Sequence, residues 1–358
     1  LALCMEYTAS ADTETAIKTL GLLCLHKGWE LKQEQAEKIM EIAPKMRVTL
    51  DTIFETIQAL AQCLGIGGHN QIFKVTMLRF LQASGEEVLF QTKFASAEEI
   101  SQMLYFLHLA EYQNPVLLDS LIGQLMQKEL NPEAAIHSVM VLDAMNYPKS
   151  KAYLELLEPI LPYLDQIPVN HLVTILAISL KHNLSSLPLS KFFSAINLRI
   201  EDISIDAYLQ MLQMVSDLIA NKDLGHKLLE GKATQSMKIL KKYFGGSTWG
   251  LSDLETTEML TILECLVQIK DNDVAFAHNF ISQIFKREVM ETCDGPTLVR
   301  IFKILFSYSK FYEDAFIDGH AILVKRMDVI PDEHRKTVID IVRLKIDILP
   351  KSPFLSLR

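Results

Sequence analysis

The lysines between His226 and Lys242, in the stretch HKLLEGKATQSMKILKK, are the residues of this chain best suited to meet a ligand. Lys227, Lys232, Lys238, Lys241 and Lys242 offer positive charge to phosphate or to an acidic protein, and Tyr243, Phe244 and Trp249 follow with rings on which bases can stack. The same residues also suit a solvated helix face whose last lysines complement the helix dipole, so contact with RNA, contact with an acidic partner and a purely structural role all stay open. A second basic cluster, Lys325, Arg326, Arg335, Lys336, Arg343 and Lys345, falls in the closing helices, where a terminal repeat needs a polar surface in any case.

Catalytic chemistry is poorly served. The histidines are scattered, with no HExxH, no His pair at i,i+4, no CxxC and no Asp-rich calcium loop, so no metal or other cofactor is expected. His108 and His137 lie inside helical runs and read as hydrogen-bonded structural residues. The loop GIGGHN at 65–70 has Asn70 where a dinucleotide fingerprint needs its third glycine, and it follows a helix instead of a strand. A glycine-rich helix end explains it better. Ser307 and Lys310 match an S-x-x-K spacing but lack the companion motifs of serine acyl enzymes. The chain is therefore expected to bind and not to catalyse.

The elements that must position these residues are helices in pairs. Residues 96–130, SAEEISQMLYFLHLAEYQNPVLLDSLIGQLMQKEL, and residues 131–167, NPEAAIHSVMVLDAMNYPKSKAYLELLEPILPYLDQI, repeat one phrase. Each has a helix start, a first apolar helix that ends at a tyrosine (Tyr112, Tyr147), a short turn and a second leucine-rich helix. A period of about 35 residues with two helices per unit is the mark of an α-solenoid, in which each hairpin covers its apolar faces with its neighbours. Apolar spacing along the chain gives about eight to nine such hairpins. The expected fold is all-α, a right-handed superhelix. Residues 1–244 form one helical-repeat array, 245–250 (GGSTWG) a hinge or a long loop, 251–349 further repeats with a closing helix, and 350–358 an extended tail.

Start signals agree with these boundaries. Ser96 with Glu99, and Ser252 with Glu255, fit a capping box, while Asn131-Pro132 and Gly295-Pro296 place proline in a first turn, where its missing N–H costs nothing. Pro159 and Pro162 should break the second helix of their unit. Phe192, Phe193 and Phe354 are candidates for docking a neighbouring subunit, and Met211 and Met214 for core filling.

Composition narrows the partners. The hydrophobic fraction is 49%, so the chain has ample apolar surface to bury. The formal net charge is -9, and residues 1–225 hold 16 Lys+Arg against 26 Asp+Glu while residues 226–358 hold 19 against 18. Polyanion contact is thus expected only in the later repeats, and DNA is not expected as a partner. The five cysteines have no metal or redox spacing and read as free, buried thiols of a reducing compartment. The most lipid-like run, Leu172 to Leu180, is bounded by His171 and Lys181 and is too short to span a membrane.

The sequence around Tyr112 and Tyr147, "LHLAEY" or "LDAMNY" followed by "LLDSLIGQL" or "YLELLEPIL", resembles the helical repeats of organellar RNA-associated proteins. These are the octotricopeptide and heptatricopeptide repeats and the leucine-rich region of FAST-kinase-like proteins. Weaker echoes at Gly28-Trp29, Leu64 to Gly67, His182 to Leu184 and Lys310 to Tyr312 extend the likeness over most of the chain. The Pro-Pro-Glu-Trp signature and a RAP-type domain are absent. The resemblance implies a mitochondrial matrix protein, a non-catalytic architectural or accessory subunit of a ribonucleoprotein such as the mitochondrial ribosome. Its expected partners are protein subunits of a large assembly and ribosomal RNA. The alternative is a peripheral scaffold in an ATP synthase or respiratory complex, without RNA.

Overall fold

The computed structural model describes residues 17, 32–43, 53–65, 70–220, 227–246, 254–271 and 273–356. Among them every regular element is helical and there is no strand. The chain divides into two compact units, residues 1–188 and 189–358. The boundary falls inside the stretch 168–200, which the sequence reads as one hairpin.

The first unit contains α1 (Gln33–Ile42), α2 (Ile53–Leu60), α3 (Asn70–Gln91), α4 (Ala97–Leu109), α5 (Pro115–Leu125), α6 (Pro132–Ala144), α7 (Ser150–Leu157) and α8 (Val169–Lys181). Its starts are fixed locally. The Ser96 hydroxyl accepts from the Glu99 N–H at 3.2 Å while the Ser96 N–H donates to Glu99 at 2.7 Å, and Asn114 and Asn131 cap α5 and α6 through the N–H groups of Val116, Leu117 and Ala134. The prolines end α7 as expected: it stops at Leu157 and continues as a 3-10 segment, Glu158–Tyr163.

Packing follows a rule of neighbours. The second helices α5 and α7 fold back on α4 and α6, and α4 packs on α2, α6 on α4 and α8 on α6. The apolar side chains at these contacts, such as Ile100, Leu104 and Leu107 of α4, Val139 and Leu142 of α6 and Leu172, Ile175 and Leu176 of α8, are fully or almost fully buried. Burying one such side chain stabilises by about 1.5–3 kcal/mol.

The second unit contains α9 (Leu189–Leu198), α10 (Ile205–Ala220), α11 (Lys227–Gly246), α12 (Thr256–Gln268), α13 (Val274–Ile284), a short α14 (Arg287–Thr292), α15 (Gly295–Ser307), α16 (Glu313–Lys325) and α17 (Asp332–Leu344). The same rule holds: α10 packs on α12, α12 on α15 and α15 on α17, while α11 and α13 cover α10 and α12. One boundary differs from the sequence reading. α12 begins at Thr256, with the Glu255 N–H donating to Glu258 at 2.6 Å, and Ser252 lies outside the described residues. The stretch after α12 is broken at Phe285 and Lys286 into α13 and α14. Of the segment 245–250, Gly245 and Gly246 close α11 and the rest lies outside the described residues.

A recurrent joint ends four of the first helices. Glu111, Asn146, Asn183 and Lys270 have φ of 51°, 53°, 52° and 56°, the left-handed region. In each case the next residue's N–H reaches back to a carbonyl five positions earlier, Tyr112 to Leu107, Tyr147 to Leu142, Leu184 to Ser179 and Asp271 to Leu266, all at 2.9 Å. This is a Schellman closure made without glycine, and it is what the repeated "AEY", "MNY" and "HNL" phrases encode. The echo at Lys310 to Tyr312 does not share it: the φ there is not positive, and the Tyr312 N–H bonds to Tyr308.

The closing residues, read from the sequence as an extended tail, hold a 3-10 turn at Pro353–Ser356 packed on α17. Phe354 is fully buried, and Phe192 and Phe193 are too, so none of the three is presented to a neighbouring subunit. Met211 and Met214 are in the core as expected.

Two outcomes follow from the joints. Lys270→Gly relieves a left-handed side-chain clash and should raise stability in urea unfolding by about 0.5–1 kcal/mol. Asp143 on α6 meets Lys181 Nζ at 2.7 Å and His182 Nε2 at 2.9 Å at the end of α8. Burial opposes its charge, but the hydrogen bonds from Lys181 and His182 outweigh burial and hold its pKa below the usual aspartate value. A depressed carboxylate pKa stabilises above the unfolded-state value and is lost as pH falls through the folded one. Asp143→Asn should therefore cost about 1–2 kcal/mol at neutral pH, with the gap to the parent chain closing below a pH of about 4.

Candidate functional site

The basic helix α11 offers only part of its charge to solvent. Its buried side, Ala233, Ser236, Met237, Leu240 and Phe244, faces the unit's core, which leaves Lys238 and Lys242, one turn apart, on the exposed side, with Lys232 half-buried. Lys241 points elsewhere. Its Nζ lies 2.8 Å from both Asp271 and Asp273, at the junction of α12 and α13, and 5.3 Å from the ring centre of Phe276, with 18% of the side chain exposed. Burial works against its charge, yet the hydrogen bonds and charges of the two aspartates exceed that and raise its pKa above that of an ordinary lysine.

The rings that would stack on bases are also committed inward. Phe244 packs against Tyr208, Phe276 and Phe280, and the Tyr243 hydroxyl donates to the Glu201 carbonyl at 3.1 Å. Lys227 opens α11, and Trp249 lies outside the described residues. In the closing helices Lys325 is exposed, whereas Arg326 donates to the Met290 carbonyl at 2.9 Å and ties α16 to α14. The structure thus brings Lys238 and Lys242 together as an exposed pair and turns Lys241 and Arg326 to structural work.

Four of the histidines meet side chains of other elements. His137 Nδ1 lies 2.7 Å from the Ser101 hydroxyl, His182 stacks on Tyr153 with ring centres 4.0 Å apart, His278 pairs with the Tyr312 hydroxyl at 2.7 Å and His320 with Ser352 at 2.7 Å. The Ser307 hydroxyl donates to the Lys303 carbonyl of its own helix. Cys63, Cys265 and Cys293 are free thiols, and burial pushes Cys265 up to about 12, far from the reactive thiolate range. Cys4 and Cys24 lie outside the described residues. Among the described residues no group of three His, Cys, Asp or Glu could hold a metal, and no helix is long and apolar enough to cross a membrane.

A feature that motif reading passes over lies in the first unit. A groove of about 890 Å³ runs across the starts of α4, α6 and α8. Ile136, Met140 and Ile167 supply apolar surface, Glu98 and Glu133 supply exposed carboxylates, and Gln102, Asn131, Gln166 and Tyr163 supply hydrogen-bonding groups. His137 and His171 also line it, and burial holds the pKa of His137 below the ordinary histidine value. The signal for it was present in the repeat register. Glu98 and Glu133 occupy the second helical position of consecutive first helices, which only an alignment of the two units to each other exposes.

Compared with models of known protein families and with curated proteins, the sequence matches none. The roles of these residues rest on their geometry alone.

The two classes of lysine separate in a melting experiment. Lys241→Ala leaves Asp271 and Asp273 facing each other without a cation and should cost about 1–3 kcal/mol. Lys238→Ala and Lys242→Ala should change stability by no more than about 0.5 kcal/mol.

Proposed function

We propose that the chain is a non-catalytic helical-repeat subunit of the α-solenoid type, a right-handed superhelix that holds neighbouring proteins inside a large mitochondrial matrix assembly. A ribonucleoprotein, and within that class the mitochondrial ribosome, is the assembly to which its resemblance to organellar helical repeats points. The observation that carries this reading is the stacking of each first helix on those before and after it, in both compact units, with one kind of backbone joint recurring along the chain. Such stacking spends little of the molecule on an enclosed centre and much on long outer faces, which suits an architectural part. Contact with ribosomal RNA, where it occurs, falls to the exposed Lys238 and Lys242 of α11 and to Lys325.

A second reading, a peripheral scaffold in an ATP synthase or respiratory complex without RNA, has its own support. Lys241 is ion-paired within its own unit and Phe244 is buried, so the strongest sequence candidates for phosphate and base contact are already occupied.

Native isolation from the source cells, with and without ribonuclease, separates the two. Collapse of a large particle on treatment is expected for the ribonucleoprotein. A particle of unchanged mass moves the assignment to the protein-only scaffold, and a chain recovered alone in both samples removes both.

A further inference from the structure

The groove across α4, α6 and α8 has the chemistry of a peptide site. We propose that it binds an extended, lysine- or arginine-bearing segment of a partner protein. This deepens the reading of the chain as a protein-holding subunit and rests on it.

Its size and direction suit an extended chain. Neighbouring packed helices are spaced about 8–10 Å apart, so a path over three of them spans roughly 20 Å, the length of about six extended residues. A volume near 890 Å³ exceeds what a single buried side chain needs and falls within the range of specific ligand sites.

Its charge selects the occupant. Glu98 and Glu133 line it, and no lysine or arginine does. Acidic residues in a first turn also complement the helix dipole, but that role needs no particular direction. The neighbouring pair Glu98 and Glu99 shows the difference. Glu99 turns back to cap α4 through the Ser96 N–H, whereas Glu98 lines the groove, where Asn131 Nδ2 donates to it at 2.5 Å. Two carboxylates in a lining without lysine or arginine repel a phosphate backbone and attract a cationic side chain.

The remaining lining fits a peptide backbone. Gln102 and Gln166 each carry an amide that can both donate and accept, matching the alternating N–H and C=O groups of an extended strand, while the Asn131 amide is committed to Glu98 and to the start of α6. Between them, Ile136, Met140 and Ile167 give an apolar floor on which an aliphatic side chain or the methylene stem of a lysine can lie. Carboxylates, amides and an apolar floor in one recess describe a basic segment with alternate apolar residues.

The test pans a displayed library of random peptides of about twelve residues, long enough to overreach the groove, on the full chain and in parallel on a Glu98→Gln/Glu133→Gln variant. Circular dichroism and melting first establish that the variant folds. Peptides enriched on the parent chain should carry an excess of Lys and Arg. Their affinity, read by fluorescence anisotropy near physiological salt, should fall about tenfold or more on the double variant. It should stay unchanged on Glu155→Gln, which alters a half-buried charge of the same unit, paired with Lys151 on α7 and outside the groove lining. Enrichment of acidic or uncharged peptides, equal binding by parent and double variant, or no enrichment at all would overturn the assignment. The native particle mass is read separately. Loss of the groove assignment with an intact particle leaves the scaffold reading standing, and a chain that is never part of a particle removes that reading whatever the peptides do.

Discussion

Among the described residues, first helices such as α4, α6 and α12 have more apolar surface than their own hairpin partners can cover. α6 is the plainest case. Ala135, Val139 and Leu142 lie on one flank or another of a helix that touches α4, α7 and α8, and all three are completely buried. A helix apolar on two sides has to be sandwiched, and the elements available to sandwich it are the next hairpins in the chain. From that constraint follow the order of the packing, the short connections and the repetition of one joint. The hydrophobic effect supplies the driving force, and the chain's own sequence order decides what it acts on.

The joint shows how an unusual backbone is kept without the residue that usually permits it. Glycine reaches the left-handed region freely, yet Glu111, Asn146, Asn183 and Lys270 all occupy it. Two backbone hydrogen bonds at each end hold the turn in place, joined at Tyr147 and Leu184 by burial of the side chain that follows. Tyr147 illustrates the coupling. Its N–H closes α6, its ring is buried, and its hydroxyl donates to Asp119 of the preceding hairpin at 2.6 Å, so one residue ends a helix and fastens it to its neighbour.

Helix pairs, the starts at Ser96 and Asn131 and the proline break near 158–163 were legible in the sequence, because caps, apolar periodicity and missing N–H groups act within a few residues. The break between α13 and α14 was not: Phe285 and Lys286 carry no helix-stopping signature. The outcome at α11 was harder still. Lys238, Lys241 and Lys242 are alike as letters, and only the helical rotation that points Lys241 at Asp271 and Asp273, about thirty residues on, tells them apart. For the same reason Phe192, Phe193 and Phe354 passed for docking residues. A single aromatic side chain does not state in sequence whether it faces a core or a partner. The groove was hidden in the opposite way, since Glu98 and Glu133 are ordinary first-turn acids until the units are laid over one another.

The rule of neighbours also determines how each unit would respond to tension. Because α4 leans on α2 and α6 but gains little from helices farther along, a pull applied along the chain loads one hairpin junction at a time, and no single central core resists as a whole. Local opening is therefore expected to cost one hairpin junction at a time, and the four left-handed joints mark where four of those junctions begin.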